Sequence, residues 1–161
     1  MLYDQVLTFS TAVQFEDIDL GGGVHNPNYL KYFERARNFH LKSLGISTTE
    51  LLNNKIAFVL TESYLKFKKP LILEQEFCIY TKMTALKKIG FKIEQYILPK
   101  DIIASDSYEE LFKKSYIQCV SKLVCVDLER KRATSVPEKY LNIFLNNHQL
   151  DKVNEHINIA L

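Results

Sequence analysis

The sequence predicts an α+β domain in which an antiparallel sheet of about five strands wraps around one long helix. Three observations support this fold class. Apolar residues alternate near the N-terminus, they repeat with a helical period over residues 28–44, and four runs rich in β-branched and aromatic residues follow. Because short segments connect these later runs, we expect them to pair as an antiparallel meander beside the helix.

Alternation predicts the first strand over residues 7–15. Its odd positions are mostly apolar and its even positions mostly polar, which is typical of a half-buried strand. The apolar positions on the buried side are Leu7, Phe9, Val13 and Phe15. After this strand the chain becomes rich in glycine and polar residues, which indicates a loop.

The long helix is the clearest element of the sequence. Apolar and aromatic side chains follow helical spacing from Tyr29 to Leu44. Asn26 is the expected N-cap, and Pro27 suits the first helical turn because its missing N–H is not needed there. Gly45 provides the expected stop.

Local patterns predict the remaining elements. A short second helix is expected over residues 48–54, one helical turn over 108–114, and a C-terminal helix from Ser135 to about Leu145. Helical spacing in residues 150–161 predicts one more amphipathic helix. The predicted strands cover residues 58–67, 76–83, 88–98 and 115–127.

Size and charge limit the possible functions. The 161 residues fit one domain, residues 1–161, with a core over about 5–145 and a helical tail over 146–161. A net charge of +2 does not suit a broad nucleic-acid or membrane-surface partner. No apolar run approaches the ~20 residues of a membrane span, and the N-terminus lacks the features of a signal peptide. We therefore expect a cytoplasmic protein with no membrane span and no nucleic-acid partner.

The cysteines and histidines indicate neither a disulfide framework nor a metal site. The three cysteines are an odd, sparse set in apolar runs, which predicts buried free thiols. The four histidines lack the spacing of metal ligands. These residues are Cys78, Cys119 and Cys125, and His25, His40, His148 and His156. We expect no metal and no cofactor.

The loop before the long helix holds residues suited to catalysis. Residues 17–28 combine two carboxylates, three consecutive glycines, a histidine and two asparagines. Free N–H groups at a helix N-terminus can stabilise a negatively charged oxygen. A carboxylate nearby can attack a carbonyl group or activate water. By composition alone an ordinary loop is the commoner interpretation, because Asp, Gly, Asn and Pro all favour loops.

Residues 15–37 of this loop and helix, FEDIDLGGGVHNPNYLKYFERAR, resemble the signature of the hotdog-fold 4-hydroxybenzoyl-CoA thioesterase family. They are most similar to its acyl-CoA hydrolase branch associated with the bacterial Tol–Pal system. The family pattern is roughly D-x-D-x-x-G-x-V-x-x-x-N-Y-x-x-[YF]-x-E-x-A-R. Weaker similarities follow in the same order, and the whole resemblance covers about residues 5–145. These later segments are residues 64–70, 87–91, 123–127 and 136–138.

The resemblance implies a hotdog fold with active sites at a dimer interface, and therefore a homodimer or a tetramer built from dimers. It implies that Asp19, the second Asp of D-x-D, is the nucleophile or general base. The backbone N–H of Asn26, seven residues later, would hold the thioester carbonyl. Asp17 is expected to order the loop. His25 stands one position away from a histidine of some relatives and is a further catalytic candidate.

The resemblance also suggests which residues contact the substrate. Gly22 and Gly23 let a ligand approach the backbone closely, and Tyr29 belongs to the family pattern. In similar enzymes a basic pair equivalent to Lys87 and Lys88 contacts the phosphates of coenzyme A. Paired lysines in a turn are equally well explained as solubilising residues.

These features predict hydrolysis of an acyl-CoA, or of an acyl carrier protein thioester. Two alternatives stay open. A hotdog dehydratase would need a well-placed histidine, for which His25 is the candidate, and a non-catalytic subunit would bind acyl thioesters in the same pocket. Asp19 argues against the second alternative, because a buried carboxylate is costly unless it is used. Glu34, on the long helix, is expected to be structural.

Overall fold

The structure is a computed structural model that describes residues 8–102 and 108–147. Six strands and four helices make up this part of the chain, which confirms the predicted α+β class. The strands are β1 (Thr8–Ala12), β2 (Ile56–Phe67), β3 (Glu76–Lys87), β4 (Gly90–Pro99), β5 (Ile117–Asp127) and β6 (Arg132–Ala133). The helices are α1 (Asn26–Ser43), α2 (Thr48–Asn53), α3 (Tyr108–Lys114) and α4 (Glu138–Asn147).

One antiparallel sheet joins the strands in the order β1-β3-β4-β5-β2. The five strands of this path are the five that the sequence predicts. The additional strand β6 pairs with β5 through Val126 and Ala133, and its two residues are too few to show a pattern in the sequence. On the described part of the chain, β1 and β2 are the outer strands, so each presents an unpaired edge.

Helix α1 lies against one face of the sheet, as predicted for a helix enclosed by a sheet. Its 18 residues bury one continuous stripe of mostly aromatic and apolar side chains. The first half of the stripe packs into one apolar cluster and the second half into another. The stripe includes Tyr29, Tyr32, Phe33, Ala36 and Leu41.

A buried polar group lies in the core beneath α1. The side-chain amide of Gln95 on β4 donates to the carbonyl oxygen of Phe33 at 3.0 Å and to Oγ1 of Thr81 at 3.0 Å. Its Oε1 accepts a hydrogen bond from Nη1 of Arg37 at 3.3 Å. These hydrogen bonds satisfy an amide that is fully buried, and they fix α1 to the middle of the sheet.

The opposite face of the sheet is covered in part by α3. Leu111 packs there against Cys78, Tyr96 and Leu98. Helix α4 instead joins the second cluster beneath α1 through Tyr140 and Phe144. The predicted helices over residues 48–54, 108–114 and 135–145 are therefore confirmed in position, whereas the predicted tail helix over 150–161 lies outside the described residues.

The first strand is shorter than predicted. It ends at Ala12, and residues Phe15–Asp17 form one 3-10 turn in which Phe15 is 79% exposed. Two hydrogen bonds close the turn. The N–H of Asp17 donates to the carbonyl oxygen of Gln14 at 3.0 Å, and the N–H of Gln14 donates to Oδ2 of Asp17 at 3.1 Å. A side-chain hydrogen bond thus overrides the alternating pattern, and Phe15 does not face the core.

The N-cap of α1 also differs from the prediction. His25 occupies it, and Asn26 is the first helical residue. The reason is that the N–H of His25 donates to the carbonyl oxygen of Asp17 at 2.8 Å, which fixes the backbone entering the helix. Pro27 in the first turn and Gly45 after the helix, with a φ of 81°, confirm the other two expectations.

Two further findings bear on the compositional expectations. The cysteines Cys78, Cys119 and Cys125 are free and buried, as predicted. Among the helices of residues 8–102 and 108–147, none has the length and apolar character needed to cross a membrane.

Candidate active site

Asp17 anchors the loop between β1 and α1. Its carboxylate is 6% exposed, and Oδ2 accepts hydrogen bonds from the hydroxyl of Tyr32 at 2.6 Å and from the N–H of Gln14. Its carbonyl oxygen accepts from the N–H of His25 and, at 3.0 Å, from Nδ2 of Asn28. Four hydrogen bonds on one residue therefore order the loop, and those from Tyr32 and Asn28 hold it to α1.

Asp19 lies at a tight turn and is exposed. Its N–H donates to the carbonyl oxygen of Gly23 at 2.9 Å, and the N–H of Gly22 donates to the carbonyl oxygen of Asp19 at 3.0 Å. Gly22 has a φ of 80°, which a residue with a side chain would adopt only with strain. The N–H of Gly21 donates to Oδ1 at 2.7 Å. One carboxylate oxygen is thereby oriented, while Oδ2 makes no hydrogen bond to the described residues.

The N-terminus of α1 supplies a free donor. The N–H of Asn28 donates to the carbonyl oxygen of His25 at 2.8 Å, and Pro27 has no N–H. The N–H of Asn26 makes no hydrogen bond within the described residues and lies at the positive end of an 18-residue helix. This is the arrangement required to polarise a carbonyl group.

Tyr29 forms a wall behind this loop. Its side chain is 2% exposed, and its hydroxyl accepts a hydrogen bond from the N–H of Leu71 at 3.1 Å. The carbonyl oxygen of Leu71 accepts from the N–H of Val24 at 3.0 Å. Burial raises the pKa of Tyr29, the hydrogen bond from Leu71 lowers it, and the charge of Asp19 raises it. Tyr29 thus joins α1 to the segment beside the glycines, and its contact with substrate stays a prediction.

The other predicted residues of the loop lie in different environments. Gly23 is partly exposed and pairs with Ile72 across an isolated bridge. The side chain of His25 is exposed and does not cap the helix. Glu34 is exposed two turns into α1, away from the Asp19 turn. Gly23 and His25 both lie between Asp19 and the free N–H of Asn26 along the chain, and of these two only His25 has a side chain.

Exposed apolar side chains surround the Asp19 turn, which the sequence analysis did not identify. Phe15 is 79%, Leu20 109% and Ile72 57% exposed. Leu20 lies beside the glycine triplet, so its exposure could have been inferred, but the position of Ile72 follows only from its pairing with Gly23.

Lys87 and Lys88 lie far from Asp19 within one chain. Residue Glu76, at the start of β3, pairs with Ala12 near the loop, whereas Lys87 ends the same strand. A 12-residue strand spans about 36 Å between these ends. Lys87 lines a surface depression of about 160 Å³ together with Lys92 and Lys122, and the exposed Lys88 does not.

The structure gives no sign of a metal centre in the residues that it describes. No three His, Cys, Asp or Glu side chains of residues 8–102 and 108–147 lie close enough together to hold an ion. The Asp19 turn offers a carboxylate, and the start of α1, seven residues later, offers a free backbone donor.

The comparison with known proteins is consistent with this geometry. A model of the thioesterase-like superfamily matches residues 13–144. The chain belongs to this superfamily. The chain is 25% identical over 139 residues to the acyl-CoA thioesterase YbgC of Haemophilus influenzae. The match covers 86% of this chain and 93% of that protein.

Two solved structures share the fold. The gentisyl-coenzyme A thioesterase BH1999 superposes with a TM-score of 0.71 at 25% identity and covers 84% of this chain and 99% of its own. The protein SAV2348 of Staphylococcus aureus, solved in complex with CoA, superposes with a TM-score of 0.79 and covers 93% and 88%. At 16% identity, the second structure supports the fold alone. The predicted hotdog architecture and thioesterase family are confirmed.

Proposed function

We propose that this protein hydrolyses the thioester bond of acyl-CoA substrates, with Asp19 as the catalytic carboxylate. The observation that carries the proposal is the pairing of two groups in one loop. Asp19 has one carboxylate oxygen oriented by Gly21 and the other open, and α1 begins seven residues later with the unpaired N–H of Asn26. Membership of the thioesterase-like superfamily and the acyl-CoA thioesterase activity named for the Haemophilus relative support the substrate class.

The two groups divide the chemistry between them. The thioester oxygen accepts a hydrogen bond from the N–H of Asn26, so negative charge that develops on this oxygen is stabilised. Asp19 then acts in one of two ways. It attacks the carbonyl carbon, expels the CoA thiolate and forms an anhydride that water hydrolyses, or it removes a proton from a water molecule that attacks directly. Both routes yield a carboxylic acid and free CoA.

We also propose that the active unit is a dimer formed through the edge of β2. Six consecutive residues of this strand are exposed, and a long exposed edge strand is usually covered. Large apolar side chains lie along it: Val59 (42% exposed), Leu60 (38%), Tyr64 (66%) and Phe67 (49%). A second copy of the chain is a suitable cover, because closed two-fold symmetry pairs the same strand with itself.

Antiparallel pairing of β2 with β2 of a second chain would bring the Asp19 loop of one chain close to Lys87 and Lys88 of the other. The end of β2 at Phe67 contacts Tyr29, with ring centroids 5.5 Å apart, beside the Asp19 loop. The other half of β2 lies in register with Lys87, through Val59, Val124 and Gly90 on successive strands. Two-fold pairing places the Phe67 end of β2 in one chain against the Val59 half of β2 in its partner. In such a dimer Lys87 and Lys88 of one chain approach Asp19 of the other.

Substitution of Asp19 tests the catalytic assignment. Asp19→Asn keeps the shape of the side chain but removes the charge, so we expect kcat to fall by about 10²–10⁴ on the best substrate of an acyl-CoA panel assayed by thiol release. Folding and oligomeric state should not change. Glu16→Gln is the matched control, because Glu16 is an exposed carboxylate three residues away, and we expect its kcat to stay close to that of the unmodified protein.

Two results would contradict this proposal in different ways. Near-normal turnover by Asp19→Asn would remove Asp19 from the mechanism and make His25 or Glu34 the next candidate. If the unmodified protein binds acyl-CoA esters but hydrolyses none of them, the protein is a binding subunit and not a thioesterase.

A further inference from the structure

A second cavity lies between α1, α2 and the first half of β2. Its volume is about 210 Å³, and a cavity of about 150 Å³ in another protein holds benzene. Buried side chains line its interior and exposed ones surround its mouth. The interior includes Arg37, Leu41, Leu51, Phe91, Ile93 and Leu123. The mouth is formed by Glu34, Asn38, Thr48, Leu52 and Leu60.

The interior is apolar except for one cation. Arg37 is 6% exposed. Its guanidinium makes a single hydrogen bond to the described residues, from Nη1 to Oε1 of Gln95 at 3.3 Å. A guanidinium carries five N–H donors. Buried charges are normally paired with an opposite charge, and no carboxylate of residues 8–102 and 108–147 forms a salt bridge with Arg37. Burial lowers the pKa of Arg37, whereas the charge of Glu34 at the mouth raises it.

We infer that this cavity receives the far end of the acyl group and that Arg37 binds a carboxylate there. The substrate class is then the CoA monothioesters of dicarboxylic acids of medium length. Because the guanidinium is already buried in the folded protein, only the incoming carboxylate loses water on binding, and a charge-assisted hydrogen bond offsets that loss. The apolar walls hold the methylene chain between the two ends.

The position of the mouth fits the proposed function, on which this inference rests. The mouth lies beside Leu60 in the first half of β2. In the proposed dimer this half of β2 faces the end of the partner's β2 that lies beside the partner's catalytic loop. An acyl group held at that loop therefore enters the cavity across the interface, and a short group such as acetyl does not fill it.

The test compares two eight-carbon substrates, suberyl-CoA and octanoyl-CoA, which differ in a terminal carboxylate. We expect the unmodified protein to have the higher kcat/KM for suberyl-CoA. Arg37→Met should lower the ratio of the two values by about 10- to 100-fold, which corresponds to one hydrogen bond to a charged group. Glu34→Gln should raise the ratio, because it removes a negative charge from the mouth without disturbing a buried residue.

A pair of tryptophan substitutions tests the cavity itself. Leu60→Trp should reduce hydrolysis of both eight-carbon substrates relative to acetyl-CoA. Val59→Trp is the control, because Val59 is the neighbouring residue of the same edge strand with similar exposure and does not line the cavity. Light scattering on both variants checks that their oligomeric state is the same.

The outcomes separate this inference from the proposed function. A suberyl-to-octanoyl ratio at or below one in the unmodified protein, unaltered by Glu34→Gln, would overturn the assignment of Arg37 even if Arg37→Met does not fold. Equal effects of Leu60→Trp and Val59→Trp would overturn the cavity as the acyl site. If neither substrate nor acetyl-CoA is hydrolysed, the proposed function has failed instead.

Discussion

At the scale of single residues, two aspartates two positions apart have different environments. Asp17 is buried and accepts hydrogen bonds from Tyr32 and Gln14, so its carboxylate is occupied by the fold. Asp19 is exposed, and its carboxylate accepts one hydrogen bond, from the N–H of Gly21. A carboxylate that acts on a substrate needs a free oxygen, and Asp19 has one.

The hydrogen bond between Tyr32 and Asp17 gives a stability prediction. Tyr32→Phe removes the donor and leaves a buried carboxylate with one partner fewer, so the free energy of unfolding should fall by about 1.5–3 kcal/mol. Denaturant titration measures the change. When Tyr32→Phe and Asp17→Asn are combined, the double variant should lose less stability than the sum of the two single variants. The reason is that both substitutions remove the same interaction.

Tyr116→Phe is the control for this prediction. The hydroxyl of Tyr116 makes no hydrogen bond to the described residues, and its side chain is partly buried in the same cluster. We expect a change within about 0.5 kcal/mol. Equal losses for Tyr32→Phe and Tyr116→Phe would show that the hydroxyl of Tyr32 contributes nothing to stability.

At the scale of the elements, β5 leaves no space for a side chain on β4 at Gly90. A Cβ atom on Gly90 would lie 2.1 Å from the carbonyl oxygen of Leu123, which is a backbone atom that cannot move alone. Gly45 differs, because it has a φ of 81° and open space around it. Gly90 is required because a side chain would clash with β5, and Gly45 is required because its backbone is left-handed.

Alanine substitutions should separate these two requirements. Gly90→Ala forces β4 away from β5, and we expect a loss of about 2–4 kcal/mol in the free energy of unfolding. Gly45→Ala places a side chain in a left-handed conformation at a helix end and should cost about 1–2 kcal/mol. Thermal unfolding followed by circular dichroism measures both. A smaller loss for Gly90→Ala than for Gly45→Ala would contradict the close approach of the two strands.

At the scale of the whole molecule, the proposed site is divided between two ends of one sheet. Asp19 lies beside one end of β3 and Lys87 at the other, so these residues lie far apart within one chain. Pairing of β2 with a second copy removes this separation. We therefore expect at least a dimer by light scattering at micromolar concentration.

Mixed dimers test this arrangement directly. Asp19→Asn and the double substitution Lys87→Glu, Lys88→Glu should each reduce acyl-CoA hydrolysis when assayed alone. When the two variants are mixed and allowed to exchange subunits, each mixed dimer regains one site with normal Asp19 and normal lysines. We expect activity to rise well above the mean of the separate samples. No increase, with exchange shown by mass spectrometry, would place Asp19 and the lysines of a working site in the same chain.

The sequence by itself determined the class of fold and indicated the loop that we propose to be catalytic. Alternation and helical periodicity are local properties, so α1 and the five main strands were predictable within a few residues. The resemblance of residues 15–37 to one thioesterase family depends on an ordered motif, and it identified Asp19 and Asn26 as candidates before any contact was known. Local hydrogen bonding then corrected the ends of elements, as at Phe15 and at the N-cap of α1.

Only the tertiary structure decided which distant residues meet. The sequence could not show that the Asp19 loop lies beside the first end of β3 and Lys87 at the other end, because this arrangement depends on the antiparallel pairing of β1 with β3. It could not show that Arg37 is buried at a cavity without a carboxylate partner, because its surroundings come from α2, β2, β4 and β5. Periodicity reports which face of an element is apolar, whereas the register of strands far apart in the chain determines what that face contacts.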